Sequence, residues 1–113
     1  MTARRLALAF LAVPVVVLVA LPAPAAAEDA AKIFAKSCAP CHGKAGEPSA
    51  VFAKQGVRAF ADAAWQKAAT DAQIEKSIRE GKKGTMMASF EKQLSAEEVK
   101  GLVAYIRRLG KAK

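Results

Sequence analysis

The chain has 113 residues and a formal net charge of +8 at pH 7. Its length limits it to one domain with a modest core. It contains two cysteines and one histidine, too few ligands for a complete four-ligand zinc site. We find no internal repeat, low-complexity tract or interdomain linker after the first 27 residues.

The first predicted element is a secretory signal peptide at residues 1–27. Arg4 and Arg5 form its positively charged start, and an apolar run over residues 6–21 follows. Ala25–Ala27 supplies the small residues of a cleavage site. The sequence therefore predicts export, cleavage after Ala27 and a mature domain at residues 28–113.

Two alternatives for this leader remain open. The first is an uncleaved membrane anchor, although the apolar run is shorter than the roughly 20 residues that span a bilayer and contains Pro14. The second is export by a twin-arginine route, because Arg4 and Arg5 are adjacent.

The next element is a predicted helix, capped by Asp29, that runs from Ala30 to Ser37 and into Cys38–His42. The pattern C-x-x-C-H is typical of the attachment site of a c-type haem. Cysteines three residues apart lie on one face of a helical turn, so both thiols can add to the vinyl groups along one porphyrin edge. The histidine that follows can donate an imidazole nitrogen to the iron.

Other interpretations of the two cysteines are weaker. A thioredoxin-like dithiol requires a βαβ context, and no alternating β-branched strands are present. A zinc site would lack a ligand. A structural disulfide between Cys38 and Cys41 would leave the adjacent His42 unexplained.

Glycine and proline residues interrupt the helical pattern in the middle of the chain. Gly43–Val57 reads as a loop, and a short helix over Asp62–Lys67 follows. Thr70 and Gln73 form a capping box. It opens a further helix, which Gly81 ends.

The last helix has the clearest pattern. Ser95 and Glu98 form a second capping box, and Gly110 is a natural stop. Apolar residues between them follow helical spacing: Val99, Leu102, Val103, Ile106 and Leu109. The order of elements predicts an all-α domain of a few short helices around one haem.

The mature sequence resembles the class I, monohaem c-type cytochromes over nearly its whole length, most of all the small bacterial periplasmic members. Three segments carry the resemblance: Lys32–Gly43, Gly84–Phe90 and Leu94–Arg107. The resemblance implies the cytochrome c fold, one covalently attached haem c with its iron, and a periplasmic location. It also implies that Phe34, Leu102 and Tyr105 lie where the first and last helices cross.

The resemblance also implies a role for each site residue. Cys38 and Cys41 would form the thioethers, and His42 would be the proximal iron ligand. The sixth ligand would be Met87, because Met87–Phe90 is similar to the Met-Pro-x-Phe segment of the family, with alanine in place of proline. Met86 is the alternative methionine.

Several weaker expectations concern the surroundings of the haem. A loop carbonyl should accept the second N–H of His42, and we expect that of Pro48. Arg58 is a candidate partner for a haem propionate, and Trp65 is either a second one or a core residue. Among substitutes for the methionine ligand are Lys82 and Lys83, which would have to lose their charge.

Iron held by both a histidine and a methionine has no open position, so we expect a one-electron carrier rather than an enzyme. It would shuttle electrons between redox partners in the periplasm. Two alternatives remain. One is an enzyme or gas sensor whose methionine dissociates, and the other is a haem-bearing subunit of a membrane-bound respiratory complex.

Lysines flank both ligand segments and suggest how partners are met. If they surround the haem edge, they would steer the protein to acidic patches on redox proteins. Nucleic acid is not an expected partner, and a membrane is expected only through partner complexes or an uncleaved leader. These lysines are Lys32, Lys36, Lys44, Lys82, Lys83 and Lys92.

Overall fold

The computed structural model describes residues 9–20 and 25–112. These residues form helices and loops without a strand, which confirms the predicted all-α class. Much of the predicted signal peptide, residues 1–8 and 21–24, lies outside the described residues. Residues 9–20 are exposed and non-helical, and no helix in the described ranges has the length and apolar character needed to span a membrane.

Helices form most of the chain beyond residue 25. We label them α1 (Ala25–Ile33), α2 (Ala39–His42), α3 (Ala50–Lys54), α4 (Ala63–Ala68), α5 (Asp71–Glu80) and α6 (Ala96–Leu109). One π-helical turn, Phe34–Cys38, joins α1 to α2 without a break. The π turn therefore contains both a buried core residue, Phe34, and the first cysteine of the C-x-x-C-H motif, Cys38.

Two predictions about helix bounds are wrong. Asp29 does not cap the first helix, because α1 already begins at Ala25; alanine is the strongest helix former, and three alanines precede Glu28. The predicted loop Gly43–Val57 contains α3, which starts after Ser49.

Helices α5 and α6 have the predicted caps. In α5 the Thr70 side chain accepts from the Gln73 N–H, and the Gln73 side chain accepts from the Thr70 N–H. Ser95 and Glu98 make the same reciprocal pair at the start of α6. Each pair satisfies backbone donors that would otherwise be unpaired at a helix start, so the starts of both helices follow from local sequence.

The core lies between α6 and its two neighbours, α1 and α5. Phe34 is buried against the last helix, with its ring centroid 4.8 Å from that of Tyr105. The predicted crossing residue Leu102 is fully buried. The core residues are Phe34, Phe60, Ile74, Ile78, Val99, Leu102, Val103 and Ile106.

Gly110 stands at the end of α6, where the sequence predicted the helix to stop. Its φ is −70°, an ordinary helical value, so it does not provide a left-handed cap. A Cβ at this position would lie 2.5 Å from the Cγ of Gln66. Glycine is needed here because the Gln66 side chain packs against the end of the helix.

Candidate haem-binding site

A cavity of about 670 Å³ opens between the C-x-x-C-H motif and the loop after α5. Its volume lies within the range of small-molecule and cofactor pockets. The two cysteines, the histidine and both candidate methionines line this cavity: Cys38, Cys41, His42, Met86 and Met87. Two thiols, an imidazole and thioethers around one cavity match the chemical requirements of a covalently attached, axially ligated haem.

The two cysteines belong to different kinds of helical turn. Cys38 ends the π turn and Cys41 lies in α2. Both are half-buried free thiols. Before haem attachment, burial and the neighbouring Cys41 raise the pKa of the Cys38 thiol to about 11.

The imidazole of His42 has a defined tautomer. Its Nδ1 lies 2.9 Å from the backbone carbonyl oxygen of Arg58. A carbonyl only accepts, so Nδ1 carries the proton and donates, and the lone pair is left on Nε2. His42 therefore offers the nitrogen that an iron ligand requires.

The prediction that the carbonyl of Pro48 accepts the N–H of His42 is wrong. The backbone N–H of Ala61 donates to the carbonyl of Gly46 at 3.1 Å, and this bond brings the segment that follows α3 beside the haem motif. The carbonyl of Arg58, on that segment, takes the position expected for Pro48. Local sequence gives no signal for this contact, because it depends on where a later loop passes.

Burial lowers the pKa of His42, and the positive charge of Lys82 lowers it further. The hydrogen bond to the carbonyl of Arg58 opposes both effects. The net result favours the neutral imidazole, which is the form that binds iron.

Phe60 is a neighbour of His42 that the sequence did not indicate. Its ring stacks on the imidazole with a centroid distance of 4.2 Å and an interplanar angle of 14°. The same ring contacts Phe34 and Trp65 in the core. The proximal side of the site is therefore joined directly to the hydrophobic core.

The two methionines have different surroundings. Met86 is 67% exposed, whereas Met87 is half-buried. The backbone N–H of Met87 donates to the hydroxyl of Thr85 at 3.2 Å, and its carbonyl accepts from the N–H of Lys82 at 3.0 Å. The backbone of Met87 is thus held on both sides.

Gly81 permits this arrangement. Its φ is +71°, and a Cβ there would lie 2.6 Å from the carbonyl oxygen of Met87. The loop is also tied to α5, since the hydroxyl of Ser89 donates to the carbonyl of Arg79, and the N–H of Phe90 donates to that of Ile78. These contacts restrain the loop although it lacks the proline of the Met-Pro-x-Phe pattern.

The remaining candidates divide into two groups. Arg58, Trp65 and Lys82 line the cavity, and Trp65 also packs against the core. Lys83 is exposed.

Among the described residues, no group of three or more histidine, cysteine, aspartate and glutamate side chains is arranged to hold a metal ion.

Comparison with known proteins gives a consistent set of relatives. Residues 25–106 match the family described as cytochrome C oxidase, cbb3-type, subunit III. A curated relative, the cbb3-type cytochrome c oxidase subunit FixP of Azorhizobium caulinodans, is 34% identical over 85 residues. The match covers 75% of this chain but only 28% of that relative.

Solved structures of similar size also match. The KustC0563 c-type cytochrome is 40% identical with a TM-score of 0.66, and the match covers 72% of this chain and 96% of that one. A mutant of the same cytochrome is 41% identical with a TM-score of 0.65, over 72% and 98% of the two chains.

Proposed function

This chain belongs to the family of cytochrome C oxidase, cbb3-type, subunit III, and is a c-type cytochrome domain with covalent haem c. From this we propose that it is a one-electron carrier whose iron is bound by His42 and Met87. It passes electrons between redox partners in the periplasm. One observation carries the proposal: both cysteines, His42 and Met87 line one cavity.

Haem c, when bound, supplies an iron that exchanges a single electron. The chain holds it through thioethers from Cys38 and Cys41. His42 presents Nε2, because its Nδ1 proton is engaged by the carbonyl of Arg58. Met87 supplies a thioether sulfur from a loop restrained by backbone hydrogen bonds. Fixed ligands limit the rearrangement that accompanies a change in charge.

Two further side chains that line the cavity, Arg58 and Trp65, contribute to binding the haem. Arg58 lines the cavity, and its guanidinium is a partner for a haem propionate. Trp65 closes part of the cavity wall and contacts Phe60 at a centroid distance of 5.0 Å. If His42 and Met87 both bind the iron, no position would be left on it for a substrate, and the domain itself would act as a carrier and not as an enzyme.

The first test is an absorbance spectrum of the full chain, exported together with the haem-attachment machinery. We expect a covalent low-spin haem with the methionine-to-ferric-iron charge-transfer band. The ferrous protein should bind CO slowly or not at all. Rapid CO binding by native protein would contradict the carrier and favour an open-site enzyme or gas sensor.

A second candidate is a haem-bearing subunit of a membrane-bound respiratory complex. The family match and the similarity to FixP favour it. The match to KustC0563 favours the carrier, since it covers 96% of that c-type cytochrome, whose chain holds little beyond one domain of this kind. Cell fractionation separates the two, because a subunit would remain with the membrane and a carrier would appear in the periplasmic fraction. N-terminal sequencing of the recovered protein tests removal of residues 1–27, since a cleaved product begins at Glu28.

A further inference from the structure

Phe60 contacts the face of the His42 imidazole. The two rings are nearly parallel, with an interplanar angle of 14° and centroids 4.2 Å apart. Phe60 is only 7% exposed. Its ring is confined by Phe34, at a centroid distance of 6.2 Å, and by Trp65, at 5.0 Å. The Phe60 ring that packs against the imidazole therefore has little freedom to move.

The hydrogen bond and the stack restrain different motions of His42. The Nδ1–H bond lies in the plane of the imidazole by its covalent geometry, and it donates to the carbonyl of Arg58 at 2.9 Å. It fixes the tautomer but only weakly opposes a tilt of the ring about the bond axis. A flat ring packed against the imidazole face opposes that tilt. The two contacts together define the plane of the imidazole.

One anchored segment supplies both contacts. The side-chain amide of Gln66 donates to the carbonyl of Phe60 at 2.7 Å and to that of Ile106 in α6 at 2.9 Å. The N–H of Ala61 donates to the carbonyl of Gly46. Arg107 in turn donates to the side-chain oxygen of Gln66 at 3.0 Å. The position of the segment is thus set by the last helix.

We propose that Phe60 is a positioning residue that sets the plane of the proximal His42 imidazole, and that Gln66 holds the segment carrying it. This inference rests on the proposed ligation of the iron by His42. It assigns to Phe60 a role beyond filling the core: the ring determines how the ligand plane is oriented relative to the haem.

The test compares F60L with F34L in the ferric holoprotein. Both substitutions replace a buried phenylalanine of the same core cluster with leucine, but only Phe60 stacks on His42. In a low-spin ferric haem, the paramagnetically shifted methyl signals in the proton NMR spectrum report the orientation of the axial ligand planes. We expect F60L to change their spread and order, and F34L to change them much less, because Phe34 contacts Phe60 but is not stacked on His42. F60Y, which keeps a flat ring, should retain the wild-type pattern.

Two results would overturn the inference. One is an F60L protein with the wild-type methyl pattern, since Phe60 would then only fill the core. The other is an equal change in F34L and F60L, which would indicate general loosening of the core. A wild-type protein without a histidine-ligated low-spin haem would instead contradict the proposed function, and this inference with it.

Q66A provides a second variant in case F60L does not accumulate as holoprotein. It keeps both aromatic rings and removes the donor to the carbonyl of Phe60. A changed methyl pattern supports the proposal, and an unchanged one overturns it.

Discussion

Met86 and Met87 are adjacent in sequence, but only Met87 has its backbone held by Thr85 and Lys82. Met86 is 67% exposed. A ligand that must keep one position as the charge of the iron changes is better supplied by the restrained residue. Burial and backbone hydrogen bonds therefore distinguish Met87 from Met86, although the two side chains are chemically identical.

M87A should abolish the methionine charge-transfer band and open the ferrous iron to CO, because no thioether would complete the ligand set. M86A is the matched control. It should keep the band and change the free energy of unfolding by less than about 0.5 kcal/mol, as is usual for an exposed side chain. Absorbance spectra with and without CO decide the matter, and the opposite pattern would identify Met86 as the ligand.

Gly81 and Gly84 offer a second matched pair. Both have a positive φ, +71° and +77°, but a Cβ at Gly81 would meet the carbonyl of Met87, whereas a Cβ at Gly84 would have open space. G84A should cost about 1 kcal/mol from backbone conformation alone. G81A should cost about 2–4 kcal/mol, because it adds a steric clash to the same strain.

Denaturant unfolding of the two holoproteins measures these costs. G81A should also weaken the methionine charge-transfer band, since the clash displaces the ligand loop. Equal costs for G81A and G84A would show that the close approach to Met87 does not matter for stability.

One arginine of α6, Arg107, makes hydrogen bonds to α4, to α5 and to the link between them. Arg107 donates to the carboxylate of Asp71 at 2.7 Å and to the carbonyls of Gln66 and Ala69, each at 2.6 Å. It is 26% exposed on its side chain. Hydrogen bonds from a charged donor are stronger than neutral ones. Arg107 thus ties the last helix to the end of α4 and the start of α5.

R107A should lower the free energy of unfolding by about 2–3 kcal/mol, because carbonyls at the end of α4 lose their charged donor. R108A is the control on the same helix. The guanidinium of Arg108 lies over the Tyr105 ring at 5.5 Å, a contact worth about 0.5–1 kcal/mol at an exposed position. Thermal or denaturant unfolding gives both values. Similar losses in R107A and R108A would contradict the role assigned to Arg107.

The whole molecule is basic, with a net charge of +8 over the full chain. The six lysines flanking the ligand segments are all exposed in the structure. A positive surface raises the rate of encounter with an acidic partner, and salt screens this attraction over about 10 Å at 0.1 M ionic strength. Charge therefore acts on association, not on the fold.

Electron exchange with an acidic redox protein should slow by about tenfold or more as the salt concentration is raised from low to physiological levels and above. The rate with a small uncharged reductant is the control and should stay nearly constant. Stopped-flow absorbance follows both reactions. A rate with the acidic protein that is independent of salt would argue against steering by the lysines.

Features with a local physical cause were predictable from the sequence alone. The C-x-x-C-H spacing is set within one helical turn, and each capping box at Thr70 and Ser95 is closed by residues three positions apart. The all-α class followed from the same local patterns. The positions of Cys38, Cys41 and His42 as candidate site residues needed no tertiary information.

Contacts between distant segments were not predictable from local sequence. The carbonyl of Arg58 replaced that of Pro48 as the acceptor for His42, Phe60 stacked on the imidazole, and Gly110 made room for Gln66. Each depends on where a separate loop or helix passes in space, which neither propensity nor spacing specifies. Local sequence placed the reactive groups of the candidate site, and packing between distant segments set the contacts of the His42 ring.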